Sequence, residues 1–311
     1  MKSGFVAIIG RPNAGKSTLL NSIIEQKISI ISPKAQTTRN AIRGILTDED
    51  SQIVFVDTPG IHKPQHALGE QMNKEAISNM SGVDIIYYIV DATQDFGGGE
   101  EYIIKLMKNT KLPVFLLVNK IDCLNKDQVM NKLIEYSRKA NFKEIIPISA
   151  LKNDNVDELL KTTKEYLEDG IQYYPSDQIC DYPEQFIISE LVREKVLLLT
   201  NEEIPHSVAV VIEKIGRKKG KLIVMAMILV ERDSQKGIII GKQGRMIKEI
   251  GTLARQDIQG ILGENIFLEL FVRVEKNWRN RKAKLQQLGY IQMDIDDEWQ
   301  SCWHCIKSGW L

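Results

Sequence analysis

The stretch Gly10-Arg11-Pro12-Asn13-Ala14-Gly15-Lys16-Ser17 restricts what this chain can fold into more than any other. It matches G-x-x-x-x-G-K-[ST] and lies between an apolar, β-prone run (Phe5 to Ile9) and a helical segment that begins Thr18-Leu19-Leu20. Glycines at both ends let the loop curl so that backbone N–H groups face phosphate oxygens, and the helix N-terminus adds its dipole. In that arrangement Lys16 reaches the β- and γ-phosphates and the Ser17 hydroxyl binds Mg²⁺. Taken alone, the eight residues also fit a glycine turn. The rest of the chain decides between the two.

With 311 residues there is room for two domains. No apolar run approaches the ~20 residues of a membrane-spanning helix, and Lys2 leads directly into the first strand rather than into a signal peptide. Four scattered cysteines suggest no disulfide framework and point to a reducing, cytoplasmic setting. The formal net charge is zero, yet residues 180–290 carry 19 Lys+Arg against 14 Asp+Glu. That mild basicity suits nucleic acid, and it suits a solvated charged face equally.

Up to about residue 170, apolar runs at 4–9, 53–56, 84–90, 113–118 and 145–148 alternate with helical segments at 16–26, 68–80, 99–109, 126–139 and 155–168. This alternation predicts a mostly parallel, doubly wound sheet with ligands at the carboxyl ends of its strands. Polar motifs follow those strands. Asp57-Thr58-Pro59-Gly60 offers a carboxylate for Mg²⁺ and a Gly60 N–H that senses the γ-phosphate. Asn119-Lys120-Ile121-Asp122 offers Asp122 to guanine N1–H and its 2-amino group. Adenine lacks that donor pair, so a buried Asp122 would reject it. Asn119 is placed to address N7 and brace the phosphate loop, with the Lys120 stem over the base. In Ser149-Ala150-Leu151 the Ala150 N–H is placed for guanine O6. Each motif fits a simple turn or helix start when alone. Together, in this order, they resemble the translation-factor-like P-loop GTPases and imply GTP and GDP as ligands with Mg²⁺.

Within that resemblance Gln36-Thr37-Thr38-Arg39 occupies the first switch, and the second threonine, Thr38, is the expected Mg²⁺ ligand beside Ser17 and Asp57. Lys16, Thr38, Gly60 and Asn13 are the expected catalytic residues. Ile61 stands where the small signalling GTPases place a water-orienting Gln, so slow intrinsic hydrolysis is expected. Asn13 stands where related bacterial GTPases help bind a stimulating K⁺. His62 and His66 read as exposed loop residues.

A connector, 173–183, contains Pro175 and Pro183, and beyond it the periodicities give the order α-β-β-α-α-β. Gly241-Lys242-Gln243-Gly244 is the G-x-x-G loop of a KH domain, here of type II, with Ile240, Arg245 and Lys248 flanking it. The glycines admit a sugar–phosphate chain close to the backbone, and lysine offsets its charge. Ile239, Ile240, Ile247 and Ile250 are expected to form an apolar floor for bases. A G domain (1–172), the linker (173–183) and a KH domain (184–290) together resemble the Era family of ribosome-assembly GTPases. Ser32 to Arg39, Asp57 to Pro64 and Leu288-Gly289-Tyr290 carry that likeness. It implies binding near the 3′ end of 16S ribosomal RNA, a role in 30S subunit maturation, a monomer, and peripheral association with the inner face of the cell membrane. Two other readings remain: an RNA-binding assembly protein whose GTP site hardly turns over, and a tRNA-modifying GTPase, against which the G-x-x-G half argues. Residues 291–311 fall outside the likeness. Cys302, His304 and Cys305 there make half a zinc site at most, and a disordered or tryptophan-anchored appendage is expected.

Overall fold

The structure, a computed structural model, describes residues 1–34, 36–201, 204–218 and 220–291. The cysteine- and tryptophan-containing tail therefore lies outside the described residues.

The N-terminal half contains β1 (Lys2–Ile9), α1 (Lys16–Ile24), β2 (Ile42–Thr47), β3 (Ser51–Asp57), α2 (Ala67–Ser78), β4 (Ile85–Asp91), α3 (Gly98–Met107), β5 (Val114–Asn119), α4 (Lys126–Ser137), β6 (Glu144–Ile148) and α5 (Val156–Tyr166). The strands form one six-stranded sheet in the order β2-β3-β1-β4-β5-β6. All neighbours run parallel except the β2–β3 pair. Burial on both faces explains why β3 to β5 read as continuous apolar runs. Val6 and Ile8 of β1 face one core cluster while Ala7 and Ile9 face the other. Strand β2 escaped the sequence reading because Gly44 interrupts its β pattern. A Cβ on Gly44 would lie 2.7 Å from Leu20 Cδ1, so glycine lets α1 pack flush on this edge strand.

The connector is pinned down. Its Ile179 carbonyl accepts from Ile45 N–H at 2.9 Å, its Asp181 N–H donates to Arg43 O at 3.3 Å, and the Tyr182 hydroxyl donates to Ala41 O. It therefore runs along the free edge of β2 and supplies ladder partners that an edge strand otherwise lacks.

The C-terminal half comprises α6 (Glu184–Leu199), α7 (Ile204–Ser207), β7 (Ala209–Lys218), β8 (Lys221–Val230), α8 (Asp233–Ile240), α9 (Arg245–Leu262), β9 (Ile266–Val274) and α10 (Lys282–Gln287). Its sheet has the order β7-β8-β9, with β7–β8 antiparallel and β8–β9 parallel. Helices α6, α8 and α9 bury their apolar sides on one face, around Val192, Val224, Ile239, Ile250 and Ile258. The opposite face leaves Phe267 and Phe271 exposed. The long α8-α9 helical pair and the parallel β8-β9 pairing give the type II KH order expected from the sequence.

Candidate nucleotide and RNA sites

Between β1 and α1 the chain makes the turn that the glycines were read to allow. Gly15 adopts φ 105°, a left-handed conformation costly for a side-chain-bearing residue, and α1 starts at Lys16 with no side-chain cap and no acid in its first turn. Its first N–H groups are thus free to meet an anion. Pro12, Gly15, Thr18 and Gly60 line a cavity of about 450 Å³ at the carboxyl ends of the strands. Gly60 must be glycine, since a Cβ there would sit 2.7 Å from Pro12 N; the Gly10–Ser17 loop and the turn after β3 touch through backbone.

Lys16 is buried, with Nζ donating to the carbonyls of Arg11 (2.9 Å) and Gly10 (3.3 Å). Burial lowers its pKa to about 8 against the opposing pull of the Asp57 charge. Nearby phosphate oxygens would hold the ammonium charged. Ser17 Oγ donates to Asp57 Oδ2 at 2.6 Å, which leaves Thr38 Oγ1 as donor in the 2.8 Å Ser17–Thr38 bond. Ser29, a residue that no motif flagged, also donates to Asp57 Oδ2 at 3.0 Å, and Asp57 Oδ1 is buried without a partner among the described residues. Burial raises the Asp57 pKa, opposed by Lys16 and the two serine hydroxyls. Hydroxyl, hydroxyl and carboxylate are the hard oxygen donors that Mg²⁺ takes, and the orphaned Oδ1 is an acceptor awaiting charge or water. These residues fit the metal. Thr37 does not compete with Thr38, because its hydroxyl donates to Lys34 O at 2.6 Å within the loop. Thr58 donates to Ile8 O at 2.8 Å and, with Pro59, leads β3 into Gly60.

The base end is assembled as expected at Asn119 and differently at Ala150 and Asp122. Asn119 Nδ2 donates to Ala14 O at 2.8 Å and so braces the phosphate loop. The Ala150 N–H, however, donates to Asn119 Oδ1 at 2.9 Å, which removes the free donor assigned to guanine O6. Leu151, next in the chain and 73% exposed, has its N–H unengaged among the described residues. Asp122 is exposed rather than buried. Its Oδ1 accepts from Ser149 Oγ at 2.6 Å, which is the first cause of its lowered pKa, so its selectivity depends on a base covering it. Lys120 pairs its ammonium with Asp91, a partner the motif reading missed, and this fixes the stem in place.

The switch residues correct one expectation. His62 is half-buried: Nδ1 donates to Gly60 O at 2.8 Å and Nε2 accepts from Gln36 Nε2 at 2.9 Å. It therefore cross-links the two switches. With both ring nitrogens engaged it is not a free base. Ile61 is packed in the core, and its N–H donates to Gly10 O at 3.1 Å. Arg11 turns outward to Glu100 at 3.0 Å. Asn13 takes φ 63° and donates Nδ2 to Pro33 O at 2.8 Å, leaving Oδ1 beside the first switch without a partner among the described residues.

In the KH half, Gly241 (φ 70°) and Gly244 (φ 73°) both need left-handed backbone, and Gln243 (φ 55°) joins them. A Cβ on Gly241 would lie 2.7 Å from Met246 Cβ. Lys242, Gln243, Arg245 and Lys248 are exposed around this turn. The expected apolar floor is only half correct. Ile239 and Ile250 are fully buried in the domain core, because their helical positions face inward, whereas Ile240 and Ile247 are half-buried and accessible. The groove instead continues between α9 and β9, about 410 Å³ lined by Ile247, Lys248, Thr252, Arg255, Leu268 and Leu270. Four of these lie outside any motif, and only the helical spacing from Lys248 to Thr252 and Arg255 hints at a shared face.

Residues 5–120 match the family model described as 50S ribosome-binding GTPase, and residues 203–279 match the KH domain model. Among solved structures the chain is similar to Era in complex with MgGDPNP and nucleotides 1506–1542 of 16S ribosomal RNA. The identity is 42% over 93% of this chain and 99% of that one, with a TM-score of 0.91. A point variant of Aquifex aeolicus Era bound to GDP·AlF4⁻ is also 42% identical over the same shares, with a TM-score of 0.90.

Proposed function

The chain belongs to the Era family of GTPases, and from that premise we propose that it couples a GTP cycle to binding of 16S ribosomal RNA near the 3′ end, in maturation of the 30S subunit. It hydrolyses GTP to GDP and phosphate with Mg²⁺. The observation that carries the reading is the meeting of Ser17, Thr38 and Asp57 oxygens from three separate segments. A metal ligand on the first switch and a phosphate-sensing glycine on the second make a detector of the third phosphate.

Ser17, Thr38 and Asp57 would hold Mg²⁺, which would supply positive charge to the phosphates. Lys16 adds charge beside it, the α1 N-terminus and the Gly60 N–H orient the phosphates, and Asp122 with Asn119 selects guanine. Since Ile61 is buried and cannot orient water, intrinsic turnover is slow. Asn13 Oδ1 and the neighbouring switch carbonyl of Pro33 suit K⁺, whose charge would take the place of an arginine finger. In the KH half, Gly241 to Gly244 clamps the RNA backbone, with Ile240, Arg245 and Lys248 beside it. The protein acts as a cytoplasmic monomer with peripheral attachment to the inner face of the membrane; no helix of the described residues is long and apolar enough to cross one.

Single-turnover GTP hydrolysis, with and without an RNA of the 16S 3′-end sequence, tests the proposal. Slow hydrolysis that RNA alters supports it. The absence of hydrolysis under both conditions would favour an assembly protein with a static GTP site.

A further inference from the structure

The first switch is sandwiched between the site it serves and the KH half. Ile30 is packed in the KH core cluster, and Ile31 N–H donates to Glu194 Oε1 of α6 at 2.9 Å. Lys27 pairs with the same Glu194 at 2.6 Å and with Asp257 of α9 at 2.7 Å. The contacts tighten around Thr38. On one side of it, the Thr37 carbonyl accepts from Arg193 Nη2 of α6, and Arg193 is itself fully buried and oriented by Glu190 at 2.7 Å. On the other side Arg39 is withdrawn wholly into the KH half. Its Nη1 donates to Val208 O at 2.6 Å and its Nη2 to Pro205 O at 3.2 Å, and its guanidinium lies 5.7 Å from the Trp278 ring and 5.8 Å from the Tyr290 ring.

A fully buried arginine is rare, and here one stands on each side of a single threonine. Each fork fixes two directions at once, which a lysine cannot do. Both make charge-assisted bonds to backbone carbonyls, the class of hydrogen bond worth most in a desolvated site.

Resting on the reading of Thr38 as a Mg²⁺ ligand, we propose that Arg193 and Arg39 are positioning residues for GTP: the KH half holds Thr38 at the metal site through these two guanidiniums. Docking of the KH half and readiness for the third phosphate are then one event. Movement of α6 away from the G domain takes Arg193 from Thr37, and Thr38 loses its preset position. If the competent arrangement drops to a tenth of the population, affinity for the triphosphate falls about tenfold. GDP, which offers no third phosphate to order the switch, is bound without this requirement. Two arginines that merely glue the halves together would affect both nucleotides alike.

The test compares GDPNP and GDP affinities in Mg²⁺ for the full chain, with Thr38→Ala as reference. The variants are Glu190→Gln/Arg193→Met, which leaves no unpaired buried carboxylate, and Arg39→Lys, which keeps the charge and loses the fork; a melting curve accompanies each. The expected result is an about tenfold loss for GDPNP and less than a twofold change for GDP in both variants, matching Thr38→Ala in kind. A GDPNP-to-GDP ratio unchanged in a folded Arg39→Lys or double variant, while Thr38→Ala lowers it, overturns the inference and leaves the metal-site reading standing. A ratio unchanged in Thr38→Ala overturns both.

Discussion

Replacing Glu75 with Gln isolates one carboxyl of α2 that the fold holds in an unfavourable setting. Its Oε1 accepts from Ala41 N–H at 2.6 Å, at the junction of the first switch with β2, and this is its one hydrogen bond among the described residues. Burial pushes its pKa from 4.5 to about 7, the Ala41 hydrogen bond opposing. In the unfolded chain the proton leaves near 4.5, and in the folded chain near 7. Between those values the unfolded state binds fewer protons, so the group's contribution to stability falls as pH rises through the window. At about 1.4 kcal/mol per unit over ~2.5 units, the folded state carries on the order of 3–4 kcal/mol above pH ~7 for keeping this carboxylate ionised. A Gln keeps the carbonyl that accepts from Ala41 and removes the charge. Urea unfolding of both forms across the window should give a Glu75→Gln variant more stable by about 3–4 kcal/mol near pH ~8, with the gap closing as pH approaches ~4.5. A gap independent of pH would show that Glu75 does not titrate with folding, and would refute the reasoning.

Other outcomes follow from the same geometry. Asp122→Asn swaps an acceptor for a donor at the base end. It should cost GTP about a hundredfold or more in affinity and favour xanthosine triphosphate, read by competition binding; unchanged GTP affinity would remove guanine selection from Asp122. Gly241→Ala forces a Cβ within 2.7 Å of Met246 at φ 70° and should reduce RNA affinity by about tenfold or more without altering GTP affinity, measured by filter binding. Matched K⁺ and Na⁺ buffers should give faster hydrolysis in K⁺, and the difference should disappear in Asn13→Ala; equal rates would dismiss K⁺.

The G-domain elements were legible because buried parallel strands write themselves as apolar runs and each functional motif follows one of them. The edge strand β2 was not, since its glycine and its partial exposure erase the pattern. Thr38 could be preferred over Thr37 only by resemblance; the structure supplies the physical reason, a Thr37 hydroxyl already held by Lys34 O. The Ala150 N–H was misassigned because a motif names residue types and not which of their hydrogen bonds the fold has already made. Likewise Ile239 and Ile250 look like groove residues in a linear motif, yet the helical period turns them inward. The Arg39 and Arg193 contacts were invisible for a further reason. They join residues more than 150 positions apart, and no local pattern encodes such a pairing.

In the proposed function the third phosphate and the RNA are read by one coupled molecule. Affinity for an RNA of the 16S 3′-end sequence, measured on the full chain saturated with Mg²⁺ and either GDPNP or GDP, tests it directly. RNA affinities should differ by about tenfold or more between the two states, with the GDPNP-to-GDP preference shifted by the same factor when RNA is present. Equal RNA affinity in both states would contradict it.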